Sequence, residues 1–65
     1  MASVMPARIS DDGRTATWNP ALTRAPRVEV VVRSDSGVES VRETMNSGRS
    51  RVREGEVIVE VRDPR

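Results

Sequence analysis

Two segments, "RVEVVVRS" at 27–34 and "EVIVEVRD" at 56–63, alternate valine with charged residues over a period of two. That is the pattern of a strand with one face in a core and one in water. In the first, Val28, Val30 and Val32 share a side, opposite Arg27, Glu29, Val31 and Arg33; in the second, Val57, Val59 and Val61 share a side, opposite Ile58. Any fold of this chain has to seat these valine rows against something, and the choice of cover is narrow. The 65 residues contain one Trp, no Phe, no Tyr, no Cys and no His. A domain this small has a thin core; without Cys it has no disulfide, and without His as well a structural zinc site has only carboxylates to work with, a poor ligand set. Self-association or docking on another protein is the expected remedy.

The segment "PARISDDGRTATWNP" predicts a hairpin around Asp12-Gly13, a pair suited to tight turns. Pairing across that turn sets Ile9 opposite Ala16 and Arg8 opposite Thr17, with Ala7, Ile9, Ala16 and Trp18 on one face. Pro6 and Pro20 mark its ends. "NPALTRAP" reads as a connector. In "SDSGVESVRETMNSG", Val38, Val41 and Met45 are spaced by three and four. With Ser36 and Glu39 as a capping box and Gly48 as terminator, this predicts a short helix over 37–47.

The run "RSRVREGEVIVEV" carries Arg49, Arg51 and Arg53 at alternate positions. If "EG" at 54–55 closes a hairpin over 49–63, Arg53 faces Glu56, Arg51 faces Ile58 and Arg49 faces Glu60. The comb is then a largely neutralised solvent face, while Val52, Val57, Val59 and Val61 line the buried side.

The expected architecture is therefore one α+β domain over 1–65. It has a small, mostly antiparallel sheet of two hairpins (4–19 and 49–63) and a central strand (27–33), a connector at 20–26, and one helix (37–47) packed on a sheet face.

Chemistry is restricted. Without His, Cys, Lys or Tyr, the usual general bases, the thiolate and the Schiff-base amine are missing. The carboxylate pairs Asp11–Asp12 and Glu54–Glu56 fall at turns, where a solvated surface is the expected role. No catalytic, metal or cofactor-binding residue is assigned, no small-molecule substrate is evident, and an enzyme is not expected. All eleven basic residues are Arg against ten acids. The net charge of +1 does not by itself call for a polyanion or an anionic membrane. The longest apolar runs are three residues, far short of the ~20 that span a bilayer, and "MASVMPAR" lacks the apolar centre of a signal peptide. A cytoplasmic or virion-associated place is expected.

The stretch "VRETMNSGRSRVREGEVIVEVRD" resembles the second half of AbrB-type swapped-hairpin DNA-binding antitoxins. It departs from them before the helix, where that family has a Pro and this chain has "RSDSG", so membership does not follow. Two roles remain. The first is a non-enzymatic interaction or assembly module, homo-oligomeric, such as a structural or accessory subunit of a phage particle or bacterial complex. Trp18, Val31 and Ile58 are its interface candidates. The alternative is a small nucleic-acid-binding regulator using Arg49, Arg51, Arg53 and Arg62.

Overall fold

The computed structural model describes residues 3–65. Seven strands run along the described residues: β1 (Ser3–Val4), β2 (Arg8–Ile9), β3 (Thr15–Thr17), β4 (Arg27–Ser34), β5 (Glu39–Met45), β6 (Arg49–Arg51) and β7 (Glu56–Asp63). The sole helical element among the described residues is a 3-10 turn at Pro20–Leu22, where the Asn19 side chain accepts from the Ala21 amide. The strands form a four-stranded sheet in the order β1-β7-β4-β5 and a three-stranded sheet in the order β2-β3-β6, antiparallel throughout. The protein is thus mostly β, and the expected α+β arrangement with a packed helix is overturned.

Residues 39–45 of the expected helix form β5 instead. The chain turns at Ser34–Gly37, where the Gly37 amide donates to Ser34 O (2.9 Å) and the Ser34 amide to Val38 O (2.9 Å). Gly37 takes φ +85, the left-handed position that closes a three-residue hairpin loop. Glu39 does not cap a helix; it reaches across the new ladder to Arg33, with Nη2–Oε2 at 2.6 Å. Three apolar residues at helical spacing are a weak stripe. Ser, Val and Thr lose more by entering a helix than by extending, and β4 offers a full ladder of hydrogen bonds to an extended neighbour.

The 49–63 hairpin is also corrected. Arg53–Glu56 does close a turn, with the Glu56 amide donating to Arg53 O at 3.2 Å. The arms then part into different sheets: β6 pairs with β3, and β7 with β4 and β1. Along β4–β7 the register slips by one, Val31 facing Glu60 and Val32 facing Ile58, so Val59 is the extra residue of a β-bulge. A one-residue slip exchanges the faces of a strand. Ile58 is consequently buried together with Val61, Val59 is half-buried, and Val57 is exposed. The expected row of Val57, Val59 and Val61 is broken at its middle, whereas Val28, Val30 and Val32 keep theirs.

The two sheets close on one core of Met5, Ala16, Trp18, Val28, Val30, Val32, Val52, Ile58 and Val61, with Ile9 at its margin. A backbone bond also joins them, Ile58 N donating to Gly13 O (2.6 Å), while the bond from Val52 N to Arg14 O (2.9 Å) extends the β3–β6 ladder. The radius of gyration, 11.0 Å, matches the ~11 Å of a compact chain of this length. Trp18 is the only aromatic, and its indole Nε1 donates to Asn46 Oδ1 at 2.8 Å. Asn46 Nδ2 lies within 2.9, 3.3 and 3.2 Å of the carbonyls of Pro20, Thr23 and Ala25. One amide side chain, immediately after β5, thereby anchors both the indole and the connector. Gly48 completes this corner: its carbonyl accepts from the Trp18 amide, and at φ +90 a Cβ there would lie 3.1 Å from Trp18 O. No helix among the described residues is long and apolar enough to cross a membrane.

Candidate interaction surfaces

Trp18, Val31 and Ile58, the residues singled out for an interface, are 8%, 3% and 4% exposed and present no surface in the single chain. Trp18 and Ile58 belong to the core. Val31 lies on the opposite face of its sheet, between Val41 and Glu60 of the adjoining strands.

Of the large apolar side chains exposed among the described residues, three lie on or beside β5, while Val4, Leu22 and Val57 lie apart from it. Val38, Val41 and Met45 are 65%, 52% and 68% exposed. β5 is the edge of the four-stranded sheet, so one side of its backbone meets no strand among the described residues. Which groups are free follows from the ladder. Ser34 N donates to Val38 O and Asn46 N to Pro26 O, and antiparallel bonding alternates along a strand. Ser40, Arg42 and Thr44 therefore bond to β4, while the amides of Glu39, Val41, Glu43 and Met45 and the carbonyls of Glu39, Val41 and Glu43 point to the open edge; the Met45 carbonyl accepts from the Ser47 amide (2.8 Å).

The arginines are redistributed by the β3–β6 pairing. Arg49 faces Thr17 and Arg51 faces Thr15; on the other side of β3, Arg8 faces Thr17. Ala16 and Ser50 point the other way, Ala16 into the core. Arg8, Arg49 and Arg51 thus stand on the outer face of the three-stranded sheet. None of them takes part in an ion pair among the described residues, so they are not neutralised by the glutamates of β7. Arg53 continues the comb but turns toward Glu56 (Nε–Oε1 3.8 Å), and Arg62 lies on the other sheet, paired with Glu60. The four arginines proposed for nucleic acid are therefore not one cluster. Two of them join Arg8, which hairpin register alone would place beside Thr17; that Thr17 also faces Arg49 depends on a pairing 32 positions apart in sequence, which no local signal marks.

One carboxylate of each acidic pair is engaged at its turn. The Asp12 carboxylate accepts from Ser10 Oγ (2.6 Å) and the Arg14 amide (3.0 Å). The Ser10 hydroxyl, followed by that amide and the charges of Arg14 and Arg51, holds it below the usual carboxylate range. Glu56 is gripped at both oxygens by Arg42, at 3.0 and 2.5 Å, across the intervening β4. This bidentate bond, aided by the charges of Arg42 and Arg53, lowers the Glu56 pKa. A carboxylate more acidic when folded stabilises the fold above its unfolded pKa, about 4.3, and loses that contribution as pH falls through the folded value. Urea midpoints measured from pH 7 down to pH 3 should therefore fall less steeply for Glu56→Gln than for the parent chain. Parallel curves for the two proteins would show that the Arg42–Glu56 bridge contributes nothing to acid sensitivity.

Comparison with known proteins finds no match: no family model fits the chain, and no curated protein or solved structure is significantly similar to it.

Proposed function

We propose that the chain is a non-enzymatic protein-interaction and assembly module, a small structural or accessory subunit that joins a second copy of itself by strand addition at β5. The observation that supports this reading is the open edge: seven extended residues with four amides and three carbonyls pointing away from β4, carrying exposed Val41 and Met45 and preceded by exposed Val38. A long edge strand is a template for pairing, and natural sheets that stay monomeric blunt theirs with proline, bulges, very short strands or charged side chains. β5 has no proline or bulge and is seven residues long; its charges, Glu39, Arg42 and Glu43, are mixed in sign and so do not repel an antiparallel copy uniformly. An antiparallel second copy presents the same donors and acceptors, so a two-fold pair satisfies both edges at once.

The test uses the ladder. The Val41 amide points outward, so Val41→Pro removes a donor needed by an added strand and none needed by β4; proline is tolerated at such edge positions. Native mass spectrometry and sedimentation equilibrium should show a dimer or larger species for the parent chain and a monomer for Val41→Pro, with unchanged far-ultraviolet circular dichroism. A parent chain that stays monomeric over the accessible concentration range would overturn the proposal, as would a Val41→Pro variant that is folded and still assembles.

A further inference from the structure

We infer that the outer face of the three-stranded sheet is a binding surface for the phosphate backbone of duplex nucleic acid, contacted by Arg8, Arg49 and Arg51 with the hydroxyls of Thr15 and Thr17 between them. Arg8 and Arg49 flank Thr17 in one transverse row, and Arg51 lies one pleat along β6 from Arg49. Strand spacing sets the backbones of Arg8 and Arg49 about 10 Å apart, and Arg49 and Arg51 about 7 Å apart. The three side chains are exposed and outside every ion pair among the described residues.

The make-up of the face selects the occupant. Among the described residues, the register gives it Arg8, Ser10, Thr15, Thr17, Arg49 and Arg51, and no apolar side chain. Protein interfaces bury an apolar or aromatic centre, and membrane-surface elements insert one; protein–DNA interfaces are polar and strongly positive. Guanidinium forks match phosphate oxygens, and hydroxyls commonly complete such contacts. Single-strand binders add aromatic platforms for bases, but the one aromatic here is buried in the core. A flat face, without a helix or ribbon to enter a groove, grips backbone and does not read sequence. Asp12, in the turn beside Arg51, is a neighbouring negative charge that weakens this grip.

This surface is separate from β5, so its test is independent of the assembly proposal. Binding of the full chain to a mixed-sequence duplex is followed by fluorescence anisotropy between about 50 and 200 mM salt; three phosphate contacts give a log–log slope of about −2.7. Arg8→Gln, Arg49→Gln and Arg51→Gln should each weaken binding and reduce that slope by about 1. Asp12→Asn, which keeps the oxygen that accepts from Ser10 and the Arg14 amide, should tighten binding. Arg27→Gln, on the other sheet, should change nothing. The proposal is overturned if the duplex does not bind at the lowest salt, or if the three Gln variants, folded by circular dichroism, keep the parent slope. It is equally overturned if Arg27→Gln weakens binding as much as they do, or if single-stranded DNA or heparin is bound while the duplex is not.

Discussion

An Asn46→Asp variant is expected to unfold at a distinctly lower urea concentration than the parent chain, with a loss of about 3 kcal/mol. A 65-residue fold carries roughly 3–10 kcal/mol in total, so the midpoint should move by a large fraction of its value. The substitution keeps the side chain's shape and the oxygen that accepts from the Trp18 indole, but replaces the amide group that faces the carbonyls of Pro20, Thr23 and Ala25. Indole nitrogen only donates, so it is the amide NH₂ that meets the carbonyls. A carboxylate there stands against three acceptors with no donor to offer. Protonation restores one donor, so the folded state favours the neutral acid and the carboxyl pKa rises. A group of this kind penalises the fold above its folded pKa, and the penalty shrinks as pH falls through that value. The gap between Asn46→Asp and the parent should therefore narrow toward pH 4. Asn46→Ala, with no titrating group, should keep a constant gap of about 2 kcal/mol. Urea titrations followed by circular dichroism at several pH values check both. A pH-independent gap for Asn46→Asp would mean that the amide does not hold the connector in the way its geometry implies.

The features that could be read directly from the sequence are those set by neighbouring residues. Alternation around Asp12-Gly13 is enough to place Ile9 against Ala16 and Arg8 against Thr17. The uninterrupted period of 27–34 is enough to turn Val28, Val30 and Val32 inward. Elsewhere, tertiary pairing decided. Residues 38–45 carry a helical spacing, through Val38, Val41 and Met45, and no apolar alternation, since Glu39 and Glu43 share a strand face with Val41 and Met45; the ladder offered by β4 selected the strand against that local pattern. The bulge at Val59 has no mark in "EVIVEV", where every residue suits a strand, yet it moves Ile58 inward and leaves Val57 exposed. The arginine comb depended on a partner choice. Alternation put Arg49, Arg51 and Arg53 on one face, but the sequence does not say that β3, and not the adjacent β7, would lie beside them. That choice converts a neutralised surface into an unpaired one, and with it changes which part of the chain is available to an anion.

Trp18→Ala is expected to have the largest effect of all, about 3–5 kcal/mol, enough to leave a chain of this size mostly unfolded at room temperature. The other core residues are aliphatic or Met, and most are Val or Ala, so the indole contributes an area that repacking of short side chains cannot replace. It is also the point where the sheets and the connector meet: its ring bonds Asn46, at the end of β5, and its amide bonds Gly48, just before β6. Removing it unseats both proposed surfaces together, the open edge of β5 and the arginine face of β6. Trp18→Phe separates the two contributions. It retains most of the buried ring but leaves Asn46 Oδ1 without its donor, and should cost about 1–3 kcal/mol while the fold persists. Amide dispersion in two-dimensional NMR spectra gives the readout, since it does not depend on tryptophan fluorescence. It should collapse for Trp18→Ala and survive for Trp18→Phe, with lost hydrogen-exchange protection confined to residues around Asn46. A Trp18→Ala chain that keeps its dispersion and lies within about 1 kcal/mol of the parent, below the cost expected for a buried aromatic, would show that the valine rows hold the two sheets without it.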